Sequence, residues 1–284
     1  MNLGKRKNAN RIFHGILVCC ILFSILMLAV LFIDTFKKGL PYLNVKFLTN
    51  YTSRFASKAG IKAAIFGSLW IIVFTIIIAF PLGVCGAIYL EEYASKNKLN
   101  DLIKVNISNL AGVPSIVYGI LGLAIFVRAL GFGRTIISGA ITMALLILPI
   151  IIVASQEAIK TVPHNLKEAS YALGATKWET IREVILPYSM PGILTGTILA
   201  VSRAIGEAAP LVVVGGAAAI WFTPQTPFDE FTTLPLQIFT WATMPQREFQ
   251  GVAAAGIIVL LIVLIFINLT AILLRNKYQD RIKV

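Results

Sequence analysis

The sequence predicts an all-α membrane protein with six transmembrane helices, and three observations carry that prediction. Of 284 residues, 57% are hydrophobic and 13% charged, about half the charged share of a soluble domain. Mean hydropathy is +0.83. Six apolar runs, each long enough to cross a bilayer, are separated by segments that hold most of the lysines and arginines. The formal charge of +12 therefore follows the flanks of the spans and not a nucleic-acid-binding face, and no nucleic-acid partner is expected.

The first run, 12–33, follows Lys5, Arg6, Lys7 and Arg11. A signal peptide shares the basic start but has a shorter apolar core and a small-residue cleavage site. Here about 22 apolar residues run straight on, enough to span, so a retained helix with its N-terminus inside is expected. Further spans are expected at 63–90, 107–130, 135–155, 188–218 and 252–274. With the N-terminus inside, the inner segments hold four, three, four and four basic residues, and the outer ones six, two and one. The total favours this orientation although the 34–62 loop opposes it. The chain then divides into an inner tail (1–11), a first helix with its external loop (12–62), a transmembrane core (63–274) with a polar inner loop at 156–187, and an inner tail (275–284).

Pro81, Gly83, Gly112, Pro114, Pro149, Pro191, Gly192 and Pro210 punctuate the spans. Each missing N–H needs neighbouring helices or water, so these spans belong in a packed bundle. The 219–251 segment mixes four prolines with aromatics and predicts a re-entrant or interfacial helix over 234–242, with contact to an external partner. Cys19, Cys20 and Cys85 lie in apolar runs and read as small buried hydrophobes. His14 and His164 are isolated, so no metal is expected. No Walker A sequence, phosphate loop or catalytic set occurs. The chain is expected to be no enzyme, to bind no cofactor and to leave any ATP hydrolysis to others.

The longest polar interruption, 157–191, has its own internal order. Leu166, Ala169 and Leu173, then Ile181, Val184 and Ile185, recur at helical spacing, predicting two short amphipathic helices. Pro163 suits the first turn of one, and Gly174 its C-terminal cap. Thr176 with Glu179 reads as a capping box opening the other, and Pro187 is expected to break it. Glu168-Ala169, Gly174 and the later Val184-Ile185-Leu186-Pro187 resemble the EAA loop of ABC-importer permeases, with Ser170 in place of the usual alanine. The resemblance implies a cytoplasmic loop whose first helix docks on an ATPase, with Glu168, Ala169, Leu173, Gly174, Ala175 and Pro187 at the coupling site.

A second polar feature lies inside the fifth run. Arg203 sits about fifteen residues into it, where a charge costs at least ~2.5–3.5 kcal/mol and should face protein or a water-filled path. Glu207, one turn on, can pair with it. Two readings stand at this point: a buried pair that fixes packing, or an arginine fork that receives an oxyanion in transit.

The runs Leu110-Ala111-Gly112-Val113-Pro114-Ser115-Ile116-Val117-Tyr118-Gly119, Ala172 to Trp178, and Arg203-Ala204-Ile205-Gly206-Glu207 are similar to the PstA family, permease subunits of phosphate-specific ABC importers. That resemblance implies a type I ABC-importer (MetI-like) permease fold in a bacterial or archaeal plasma membrane. It implies a substrate path holding Arg203, Glu207, Ser202, Ser115 and Tyr118. The implied partners are a second permease (PstC-like), two copies of an ATPase carrying ATP and Mg (PstB-like), an external phosphate-binding protein (PstS-like), the lipid bilayer and phosphate. Ala208 departs from the family's threonine, so no role is given to that position. A permease for sulfate or molybdate, and a non-transporting membrane scaffold, are the competing readings.

Overall fold

A computed structural model describes residues 3–95 and 97–282; Lys96 and Lys283, counted above among the inner cations, lie outside them. The described chain is all helical apart from one isolated bridge, Thr135 to Glu230. The first helix, α1 (Leu3–Gly39), turns its apolar residues outward along its length and meets the bundle near its end. There a Cβ on Gly39 would lie 2.8 Å from the Ala254 and Ala255 backbone, so only glycine allows the approach to the last helix. A short helix, α2 (Val45–Thr49), is capped by the Asn44 side chain, which accepts from Phe47 N at 2.8 Å.

The second span is α3 (Lys62–Ile88), which runs into a π-helical turn, Tyr89–Tyr93. The amphipathic α4 (Lys98–Leu110) follows, then α5 (Ser115–Gly122) with its π-helical continuation Leu123–Ala129. α6 (Ile136–Lys160) is the most enclosed span. A hairpin of α7 (His164–Ala172) and α8 (Lys177–Thr180) leads through a π-helical turn, Ile181–Ile185, into α9 (Leu186–Ile205). α10 (Ala209–Val214), α11 (Leu234–Ala242) and the long α12 (Glu248–Ile282) complete the chain. Five helical stretches are long and apolar enough to cross a membrane, six if α4 and α5 together form one broken span.

Several expectations need correction. The third span is not a straight 107–130 helix, because α4 and α5 meet at 100°. Pro114 bars its predecessor from helical geometry, and the Leu110 carbonyl instead takes Val113 N (3.1 Å) and the Tyr118 hydroxyl (2.9 Å). The fifth span stops at Ile205 and not near 218. Pro187 does not break its helix: α8, the π-helical turn and α9 run on from Lys177 to Ile205. The wider turn at Ile181–Ile185 reshapes the carbonyl ladder just where the proline ring would clash and its N–H is missing. All three cysteines are exposed, on faces turned away from the bundle. The helix at 234–242 does form, but Trp241 is buried against Phe47 instead of anchoring in the interface (ring centroids 5.8 Å apart).

The core centres on α3, α6 and α9, with Ile71, Ala79, Met143, Ile147, Ile151, Ala200 and Ala204 in one buried cluster. These are the spans that carry Pro81, Pro149 and Pro191 inside a helix. Lipid tails are as apolar as leucine, so close packing has to hold the helices together. Small residues allow it: a Cβ on Gly192 would sit 2.8 Å from the Ala158 methyl, and one on Gly196 would run into the Ala154 methyl. At the α7–α8-distal end, the loop before α11 closes on the start of α6, whose Ile136 and Ile137 N–H groups donate to the Asp229 and Pro227 carbonyls. Asp229 anchors that loop. Its carboxylate accepts from the Thr226 hydroxyl and the Gln225 and Thr226 N–H groups, which hold it below the usual carboxylate range.

The Gly196 contact gives a direct test. Gly196→Leu should push α9 off α6 and cost about 1–3 kcal/mol, lowering the thermal midpoint of the purified subunit. Gly15→Leu, where nothing lies within 4 Å, should leave it unchanged. Equal midpoints for the two variants would contradict this packing.

Candidate functional site

Two sites emerge, one at an end of the bundle and one half-way along it. The end site is the hairpin. α7 begins one residue later than its proline, with Pro163 at the N-cap position. It ends in a Schellman motif, with Gly174 N donating to Tyr171 O (2.9 Å) and Ala175 N to Ser170 O (3.2 Å) while Gly174 takes φ +84°. The capping box forms: Glu179 accepts from Thr176 N at 2.7 Å, and Glu179 N donates to the Thr176 hydroxyl at 3.3 Å. The Ser170 and Thr180 hydroxyls, 2.9 Å apart, join the two helices.

This well-ordered hairpin buries no α7 side chain. Leu173 is 90% exposed, with Tyr171 and Trp178 beside it in sequence also exposed. Glu168 pairs with His164 at 3.1 Å in full view of solvent. The apolar stripe of α7, with Leu166, Ala169 and Leu173, is therefore uncovered by its own chain, whereas Ile181 and Ile185 of the second stripe are buried in the core.

The second site follows from helix register. Gly192 meets Ala158 and Gly196 meets Ala154, so four residues along α9 match four residues back along α6. Continued, that register brings Arg203 level with Ile147, midway along α6. Gly122 of α5 packs on Thr142, which by the same reasoning brings Tyr118 level with Leu146. Tyr118, Leu146, Ile147 and Ala204 do share one buried cluster. The α4–α5 elbow and the end of α9 thus interrupt two spans at about the same depth.

Arg203 lies in the last turn of α9, where the free carbonyls favour a cation. Its side chain is 46% exposed, on a stripe with Tyr188 and Leu199 that faces away from the bundle. Arg203 Nε stands 3.6 Å from Glu207 Oε1, too far for a hydrogen bond, and Glu207 is 22% exposed. The pair is loose: among the described residues the guanidinium makes no side-chain hydrogen bond. Ser202 faces the other way and donates to Asn268 of α12 at 2.6 Å. Tyr118 is buried, its hydroxyl donating to the Leu110 carbonyl, and Ser115 opens α5 half-buried. The structure therefore joins Arg203 with Glu207, sets Tyr118 at their depth, and turns Ser202 to packing.

Sequence reasoning missed Asn268 and the carboxylates Glu91 and Glu92. The signals were an amide amid the apolar α12 and two adjacent acids at the end of an apolar run. Among the described residues no group of three or more His, Cys, Asp or Glu could hold a metal. A cavity of 670 Å³ is lined by Arg54, Phe55, Trp221 and Trp241 and by no residue of α9.

A family model described as "Binding-protein-dependent transport system inner membrane component" matches residues 79–277. The chain belongs to that family. The permease is 36% identical over 280 residues to the probable ABC transporter permease protein YqgI of Bacillus subtilis, covering 94% of this chain and 95% of that one. It is 33% identical over 267 residues to the phosphate transport system permease protein PstA of Yersinia pestis, covering 94% and 90%. Its fold matches a chain of the MetNI methionine ABC transporter in an inward-facing form, with TM-score 0.58 and 17% identity over 75% of this chain and 91% of that one. The permease thus has the MetI-like fold and is a multi-pass transmembrane subunit of an ABC-type importer, which couples to ATPase partners.

Proposed function

We propose that this permease is a PstA-type subunit of an ATP-driven phosphate importer. The observation that carries the reading is Arg203: a half-exposed guanidinium, loosely held, on the open face of α9 and level with the middle of α6. A residue that only fixed packing would be enclosed and fully bonded, since a buried unpaired charge is costly. An arginine fork with free donors suits a tetrahedral oxyanion, and Glu207 limits how tightly that anion is held. Similarity to a phosphate transport permease over nearly the whole chain supports phosphate over other oxyanions.

In this reading the open face of α9 meets a second permease, and the two enclose the path. The 156–187 loop is cytoplasmic and Leu173 is the apolar knob that two ATPase copies, carrying ATP and Mg, would recruit, one on each permease. Both tails are then cytoplasmic, and the surface around Arg54 and Trp221 is external, where a phosphate-binding protein can dock. The 15-to-9 excess of inner over outer basic residues supports that orientation.

Leu173→Asp should leave the subunit folded, because Leu173 packs against nothing in its own chain, yet weaken ATPase retention by at least about tenfold, as for loss of an apolar anchor. Unchanged co-purification of the ATPase would remove the docking assignment. For the path, uptake of labelled phosphate should be measured per assembled complex. Arg203→Gln should lower it by at least about tenfold, the worth of a charge-assisted bond, and Glu207→Gln should stay within about threefold of wild type. The variant carrying both changes should assemble and remain inactive. Recovery of uptake in that double variant would mark the pair as structural and sink the phosphate path.

A further inference from the structure

α4 and α7 have no buried residue, yet both are joined to the bundle. Apolar packing does not explain this; one polar hub does. The π-helical turn Tyr89–Tyr93 at the end of α3 carries Glu91 and Glu92. Glu91 Oε1 accepts from Lys104 Nζ of α4 at 2.8 Å and from Gln156 Nε2 of α6 at 2.9 Å. Glu92 Oε1 accepts from Lys167 Nζ of α7 at 2.6 Å. Both carboxylates are well shielded, at 12% and 9% exposure. The next residue, Tyr93, receives the Lys177 ammonium of α8 over its ring at 4.8 Å. One turn of helix therefore ties α4, α6 and the whole hairpin to α3.

The hub does not end at α4. α4 runs to the elbow, where the Leu110 carbonyl takes the Tyr118 hydroxyl across the bend. Tyr118 in turn packs in the cluster that holds Ala204 and Ile205, beside Arg203. A displacement of α7 would thus pull on Glu92, and through the same turn on Glu91, α4 and α5. Shielded ion pairs suit such a linkage, because they resist separation strongly but tolerate rocking better than interlocked apolar side chains do.

We propose that Glu91 and Glu92 are positioning residues that relay movement of the α7–α8 hairpin to the α4–α5 elbow. The proposal rests on the reading of the hairpin as the ATPase-docking element, but not on the identity of the anion. The test follows movement and not transport. Cys19, Cys20 and Cys85 are exposed and are first replaced by alanine, and a single cysteine is placed at Val117, an exposed α5 position. The complex with its ATPase is reconstituted in liposomes, and maleimide labelling is timed with and without ATP trapped by vanadate.

With Glu91 and Glu92 intact, trapping should change the labelling rate by at least about fivefold, within the usual range for coupling between sites. Glu92→Gln should reduce the change to less than about twofold at equal assembly, and the exchanged pair Glu92→Lys with Lys167→Glu should restore it. A full response in Glu92→Gln overturns the relay. So does an exchanged pair that assembles but does not respond, and so does failure of both variants to assemble, since the hub is then only structural. A complex that moves on ATP trapping but ignores phosphate would count against the phosphate reading and leave the relay standing.

Discussion

The demand that every backbone N–H and C=O within a bilayer find a partner inside the protein governs this structure. Straight helices meet it automatically, and the chain departs from them at two places of similar depth. At the elbow, Val113 N and the Tyr118 hydroxyl both go to the Leu110 carbonyl. After α9, Gly206 and Glu207 N–H groups fold back on the Arg203 and Ala204 carbonyls, and Gly216 N on Leu211 O. Ala217 N then pairs with Phe231 O, and the returning loop caps α6. Such irregular backbone is tolerated at membrane depth only within protein or beside a water-filled path. The loose Arg203–Glu207 pair sits at one of these interruptions.

The same constraint divides the molecule into a firm part and a more yielding part. α3, α6 and α9 approach closely through small residues and carry the helix-internal prolines, so their packing is difficult to alter. α4 and the hairpin helix α7 contribute nothing buried and are held by ion pairs and hydroxyls. Elements that must move are drawn from the low-stability end of a fold. An ATP-driven permease needs such elements where its ATPase docks, which in the function proposed above is the α7–α8 hairpin.

Much of this is legible in the residues. Hydropathy alone locates the apolar runs, and the Gly174 cap and the Thr176–Glu179 box are readable because each is a local pattern with one local solution. Register sets Arg203 level with the middle of α6, although its own helix ends two residues later. What escapes the sequence is non-local. Nothing in 107–130 says that the apolar run turns by 100°, because Pro114 signals an interruption but not its angle. The hub at Glu91 and Glu92 brings together residues from four separate segments, which no window of sequence contains. The cysteines look buried only when an apolar run is equated with a packed face, whereas a span also has a face toward lipid.

In the function proposed above, the importer couples its partner ATPase to an oxyanion delivered from outside and received at Arg203. The most direct measurement is ATP hydrolysis by the complete complex in liposomes, with its external binding protein, titrated in turn with phosphate and with sulfate. Hydrolysis should rise saturably with phosphate, not at all with sulfate, and with neither when the binding protein is left out. Stimulation by sulfate and not by phosphate would contradict this, as would a rate indifferent to both anions.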